Sequence, residues 1–111
     1  MQEYASVTKD DLLRLPLGTE VVFNQVLKED SEQRAVPRSA KAQWVKTWVQ
    51  HPLEPQVGAY IGYRYLQEGY TEYTEDGSDW VQLRTVACAL IVTNPRKNPV
   101  RVPISSVEVL A

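Results

Sequence analysis

Gly58-Ala59-Tyr60-Ile61-Gly62-Tyr63-Arg64-Tyr65-Leu66 is followed by Gln67-Glu68-Gly69 and then by Tyr70-Thr71-Glu72-Tyr73-Thr74. The first run is rich in Tyr and Ile, which fit a pleated, half-buried surface, and it reads as a strand. Gln67-Glu68-Gly69 predicts a tight hairpin turn, with Tyr70–Thr74 pairing back. Gly62 inside the strand marks a bulge or a close neighbour. Glu75-Asp76-Gly77-Ser78-Asp79 reads as a loop built on an Asp-Gly turn signal. Within Trp80–Thr93, Val86-Ala87-Cys88-Ala89-Leu90-Ile91-Val92 is apolar at every position. That pattern predicts a central strand buried on both faces.

Working toward the N-terminus, residues 1–7 read as frayed. Thr8 and Asp11 have capping-box spacing, but Pro16 limits any helix there to about two turns. Glu20–Val26 reads as a strand and Leu27–Ser39 as a long polar loop. Ala42–Gln50 fits two patterns. As a helix, Ser39 would cap it and Trp44 would stack on Trp48 at i,i+4. As a strand, Trp44, Lys46 and Trp48 share one face and Val45, Thr47 and Val49 the other. The β-branched alternation favours the strand. His51-Pro52-Leu53-Glu54-Pro55 reads as a stiff extended connector. Toward the C-terminus, Asn94–Pro99 is a turn and Val100–Val102 a short strand. Pro103–Ser106 is one helical turn, and Val107–Leu110 closes the chain. The sum is an all-β single domain: a small, SH3-like, partly open barrel of five to six strands with a short N-terminal helix. Such a barrel would bury Val22, Val45, Ile61, Val86, Leu90, Ile91, Val102, Ile104 and Val109.

Composition narrows the function classes. The chain has 111 residues with 12 Lys+Arg against 14 Asp+Glu, a net charge of −2. A dedicated duplex-DNA binder carries a basic excess that this balance lacks. No apolar run approaches the roughly 18 residues of a membrane span. Met1-Gln2-Glu3-Tyr4 has no basic n-region and no apolar h-region, so a cytoplasmic location is expected. The single cysteine excludes an internal disulfide and a thiolate cage for a metal.

A resemblance adds to this reading. Gly58-Ala59-Tyr60-Ile61-Gly62-Tyr63-Arg64, Gly69-Tyr70-Thr71-Glu72 and Asn98-Pro99-Val100-Arg101-Val102-Pro103 resemble a group of small bacteriophage and prophage proteins. The likeness covers roughly residues 42–110 and consists of turns and strands rather than a catalytic motif. It implies an SH3-like fold, a mobile-element origin and the host cytoplasm as the place of action. It transfers no functional residue.

Catalytic chemistry finds little to work with. Walker loops, G-x-G-x-x-G, H-E-x-x-H, C-x-x-C and G-x-S-x-G are all absent. His51 is the sole histidine and has no Ser or Cys nearby in sequence. Cys88 lies in the most apolar strand, where desolvation keeps a thiol protonated and inert. We therefore expect no enzyme, no cofactor and no metal site.

Recognition chemistry is better supplied. The chain has six Tyr and three Trp against one Phe, a skew toward aromatics with a polar tip. Trp44, Trp48, Tyr63, Tyr65, Tyr70, Tyr73 and Trp80 exceed the needs of a small core, and with Arg64 they form the expected partner-binding set. Arg64 additionally reads as an anion- or carboxylate-binding group flanked by aromatics. Glu68, Glu72, Glu75, Asp76 and Asp79 form an expected acidic rim. Arg34, Arg38, Lys41 and Lys46, with Arg96 and Lys97, form an expected basic patch, and Arg101 extends its second group. The leading reading is a non-enzymatic module that binds a protein, either a host defence or CRISPR component or a second copy of itself. The alternatives are a nucleotide, oligonucleotide or cyclic-nucleotide binder and a virion accessory part.

Overall fold

The computed structural model describes residues 4–37 and 39–110. It contains six strands and two short helical pieces. The strands are β1 (Tyr4–Ser6), β2 (Glu20–Arg34), β3 (Gln43–Thr74), β4 (Gly77–Val92), β5 (Val100–Pro103) and β6 (Glu108–Leu110). Helix α1 spans Lys9–Arg14, and a 3₁₀ turn spans Ile104–Ser106. All strands belong to one antiparallel sheet of order β1-β6-β2-β3-β4-β5, whose two edges do not meet.

The decisive element is β3. Its 32 residues would stretch about 105 Å if straight, whereas the longest dimension of the molecule is 59 Å. The strand therefore folds over on itself. Residues up to Ala59 pair with β2 and those from Ala59 onward pair with β4, so Ala59 stands between Glu20 and Val92. The reversal falls at Gly58–Gly62. A Cβ on Gly58 would lie 2.5 Å from Ile91 Cγ2 and 2.8 Å from the Val92 oxygen, so only glycine admits the crossing. Gly62 has φ +147°, which L side chains rarely adopt, and the β3–β4 register slips between Tyr60 and Gly62.

The result is two long hairpins laid face to face. The first, β2 with the N-terminal half of β3, faces the second, the C-terminal half of β3 with β4. Val45, Val36, Tyr70 and Val81 pack between them at the far end. Leu27, Leu66 and Cys88, with Trp48, Val86 and Leu90 around them, pack nearer the fold-over. The layers are also clasped by hydrogen bonds. Trp48 donates its backbone N–H to Glu68 Oε2 at 2.8 Å and its indole Nε1–H to the Gln67 oxygen at 3.1 Å.

At the base, the fold-over meets the short elements. β6 pairs with β2 at Val21 and Val22, β1 adds to β6, and β5 pairs with β4 from Cys88 to Ile91. Leu12 of α1 seals a core of Val21, Phe23, Val26, Tyr60, Ala89, Ile91, Val102 and Val107. Thr8 caps α1 reciprocally with Asp11, and this hydrogen bonding holds the Asp11 carboxyl below its ordinary range. Asn24, at the register slip of β2, donates its N–H to Ser106 Oγ at 3.1 Å, and that hydroxyl donates back to Asn24 Oδ1.

Several sequence expectations are corrected. Of residues 1–7, expected as frayed, Tyr4–Ser6 is strand, paired with β6, and residues 1–3 lie outside the described residues. Residues 27–34, expected as loop, continue β2, so the connection shrinks to residues 35–42. They read as loop because one exposed ribbon face and the polar edge of the other leave no alternation. His51–Pro55 is strand, not a connector: His51 and Pro52 stand opposite Val26 and Gln25, and Pro55 falls in the register slip, where residues 53–55 have no partner on β2. Gln67-Glu68-Gly69 is not a turn but mid-strand, and the chain reverses at Glu75-Asp76. Ile61 is exposed rather than core. Ala42–Gln50 is strand from Gln43, yet its faces are not the expected ones. Val45 and Trp48, three apart, both pack against the opposite hairpin, so the ribbon twists between them.

The clasp gives a direct test. Glu68 is 5% exposed, and Glu68→Ala leaves the Trp48 N–H without its partner, a loss of about 1–3 kcal/mol in urea unfolding. Glu68 Oε1 also meets Arg84 Nε at 3.1 Å, but that arginine is largely exposed, so Arg84→Ala costs about 0–1 kcal/mol. Equal effects for the two variants would show that the carboxylate is not holding the layers.

Candidate functional site

The far end of the paired hairpins carries an open groove of about 460 Å³. One wall comes from the first hairpin: Ser31 of β2 with Gln43, Trp44 and Lys46 of β3. The other comes from the second: Gly69, Tyr70, Thr71 and Tyr73 of β3 with Trp80 of β4. The backbone register explains this gathering. Trp44 stands opposite Gln33 near the end of the first hairpin, and Trp80 stands opposite Thr71 near the end of the second. Gly69 makes room for the indole. A Cβ there would overlap the Val81 carbonyl oxygen and lie 2.9 Å from Trp80 Cζ2.

Trp44 is 65% exposed, Tyr73 81% and Trp80 42%. Tyr70 is buried between them and the core, and its hydroxyl has no hydrogen-bond partner among the described residues. Lys46 reaches Glu29 at 3.1 Å and lies 5.2 Å from the Trp48 ring centroid. The groove is thus lined by aromatic rings together with neutral polar side chains and one ion-paired cation.

The other expected site residues distribute as follows. Trp48 is half-buried and clasped to the second hairpin. Tyr63 and Tyr65 are exposed on one face near the base, with their rings edge-to-face at 5.9 Å and Lys9 Nζ 4.6 Å over Tyr65. Arg64 points to the opposite face, where it shares a cleft with Arg101. Glu75 and Asp76 form the β3–β4 turn, and Glu72 and Asp79 face each other across the ladder beside the groove. Glu68 is turned inward and leaves the acidic rim. Arg34 pairs with Glu32 at 3.2 Å, and Lys41 is exposed in the 35–42 connection. Arg38 lies outside the described residues. Arg96 and Lys97 sit in the β4–β5 turn, roughly 45 Å of strand away from Arg34 and Lys41. The expected basic patch is therefore two separate groups.

Sequence reading missed Ser31, Gln43 and Thr71 as groove residues, because single polar positions in a strand carry no signal of their own. It also left Asn98 unassigned and did not join Arg101 to Arg64, a pairing that only the β3–β4–β5 register provides. Among the described residues, no three His, Cys, Asp or Glu side chains gather as metal ligands, and no helix is long and apolar enough to cross a membrane. His51 is exposed on β3 opposite Val26. Comparison with protein-family models, curated proteins and solved structures finds no match to this chain.

Cys88 is fully buried, and desolvation pushes its thiol above the ordinary range. Its backbone hydrogen bond with Arg64, and the charges of Arg101 and Arg64, oppose that shift without reversing it. The thiolate fraction at neutral pH is correspondingly small. A disulfide reagent at mildly alkaline pH should leave native protein unmodified and react fully once denaturant is added. Rapid labelling of the native state would show that the strand around Cys88 opens.

Proposed function

We propose that this chain is a non-enzymatic binding module that engages a protein partner through the aromatic groove at the far end of its hairpins. The observation that carries this reading is the exposure of Trp44, Tyr73 and Trp80 around one concavity. These three side chains expose large apolar area that stabilises nothing in the isolated fold, and such rings are the usual anchors of protein interfaces. Glu72, Glu75, Asp76 and Asp79 stand around the Tyr73–Trp80 side and favour a partner with a basic surface.

The SH3-like assignment belongs to the same proposal. Its support is the C-terminal order of short strand, 3₁₀ turn and short strand, with β6 returning to β2. The phage or prophage origin, the host cytoplasm as the place of action, and a host defence or CRISPR component as the partner follow the sequence resemblance and are proposed with it. The polynucleotide alternative finds less support. Arg34 and Lys46 already face Glu32 and Glu29, and the remaining cations are divided between the two ends.

The test is a capture experiment on host lysate with the wild-type chain and a Trp44→Ala/Tyr73→Ala/Trp80→Ala variant. Trp44 and Tyr73 are largely exposed, whereas Trp80 is more than half covered beside Gly69, so the capture is run at a temperature where circular dichroism shows the variant folded. The wild type should retain a specific protein that the variant loses, a change of about 100-fold or more in affinity if each ring is worth over 1 kcal/mol. Equal recovery by both chains, or by neither, would refute the groove as the working surface.

A further inference from the structure

A second cleft lies nearer the base, on the face of β3, β4 and β5 that carries Arg64, Leu90 and Arg101. It has a volume of about 330 Å³ and is lined by these three residues with Asn98 and Pro99 of the β4–β5 connection. The ladder dictates the gathering. Leu90 stands between Gly62 on one side and Arg101 on the other, and Arg64 stands opposite Cys88, one step along the same face. Gly62 contributes no side chain, so the floor over Leu90 stays open between the two guanidinium groups.

Neither arginine has a carboxylate within ion-pair distance among the described residues. The neighbouring chain offers none: residues 91–107 contain Arg96, Lys97 and Arg101 and no Asp or Glu. The nearest buried acid, Glu68, is committed to Trp48 and Arg84. Arg101 is also held in place from behind. Its guanidinium lies 5.0 Å from the Trp48 ring centroid, and Trp48 is itself fixed through its indole N–H to the Gln67 oxygen. A guanidinium held over an aromatic face loses less further entropy on binding than a freely moving one. The Cys88 thiol beneath the cleft feels both positive charges.

We propose that the Arg64–Arg101 cleft binds the phosphate group of a small phosphorylated molecule. Two forks without an acid match a tetrahedral dianion better than a carboxylate, which a single bidentate arginine satisfies. The Asn98 amide adds donor and acceptor capacity. Leu90 and Pro99 give an apolar surface for the organic part, and the cleft's volume suits a small ligand rather than a polymer. This site is separate from the aromatic groove and stands or falls independently of it.

The probes are inorganic phosphate and adenosine 5′-monophosphate, titrated at constant ionic strength and followed by backbone amide NMR. Trp48 fluorescence provides a second readout through its contact with Arg101. Both probes should shift the amides of Arg64, Asn98 and Arg101 saturably at millimolar concentration or below, leaving those of Trp44 and Tyr73 unmoved. Tighter binding of the nucleotide would place the organic part over Leu90 and Pro99; equal binding would confine recognition to the phosphate, and both outcomes support the site. Arg64→Ala and Arg101→Ala should each weaken binding about tenfold or more. Arg64→Lys, which keeps the charge and the ladder, should weaken it less. Arg34→Ala, at the far end, should change nothing. Absence of saturable shifts, or Arg64→Ala and Arg101→Ala proteins that bind as the wild type does, would overturn the proposal.

Discussion

The constraint on which the molecule depends is the reversal of one continuous strand. β3 serves two hairpins, and it can do so only because the chain crosses itself at Gly58 against Ile91 and Val92 and kinks again at Gly62. Once it has turned, residues at similar distances from the turn face each other, which is why Trp48 finds Glu68 and Val45 finds Tyr70. A two-stranded ribbon alone is marginal in water. Laid on a second ribbon, each hides its apolar face, and the clasp satisfies an N–H on the side of β3 that β2 does not cover. Every surface with chemical potential then follows. The aromatic groove forms where the two halves of β3 end, and the arginine cleft forms where β4 continues into β5.

How far this was legible in the sequence varies by segment. The apolar run Val86–Val92 and the Gly58–Leu66 strand are strong local signals, and each sits in a strand of a mainly β fold. Gly69 misled because glycine after Gln-Glu has two physical uses. A turn needs its backbone freedom; here it removes a Cβ that would strike the Val81 carbonyl, at a register slip between Glu68 and Gly69. Local sequence cannot separate those uses. Pro52 and Pro55 misled in the same way, since a proline is tolerated in a strand beside a register slip, and the slip between Phe23 and Gln25 is not visible in local sequence. The polar residues 27–34 misled because a ribbon exposed on three sides needs few apolar positions.

The candidate surfaces were legible by type but not by grouping. The excess of Trp and Tyr pointed to recognition, and Trp44, Tyr73 and Trp80 do stand exposed together. Trp48 and Tyr70 carry the same residue types and yet serve the interior. The difference between Trp44 and Trp48 is one of ribbon twist. A flat strand puts both on one face, whereas here Trp48 joins Val45 against the other hairpin. Charge showed the same limit. Arg34, Lys41 and Lys46 lie near one another in sequence and so do Arg96 and Lys97, but the fold separates the two groups and instead brings Arg101 to Arg64.

The two surfaces differ in how tightly the fold controls them, and this bears on what each can recognise. The arginine cleft rests on ladder positions of β3, β4 and β5 beside the main core, with Arg101 braced on a hydrogen-bonded indole. One of its two guanidinium groups is thus positioned before any ligand arrives, which suits a small, charged group that rewards fixed donors. The groove lies at the far end, held by the small cluster of Val36, Val45, Tyr70 and Val81. Trp44 and Tyr73 stand near the ribbon ends and are 65% and 81% exposed, so few contacts fix the positions of their side chains. A surface of that kind adapts to the contour of a macromolecule. The two proposed sites thus use opposite ends of one ribbon pair, the small anionic ligand at the arginines near the base and the protein partner at the exposed rings of the tip.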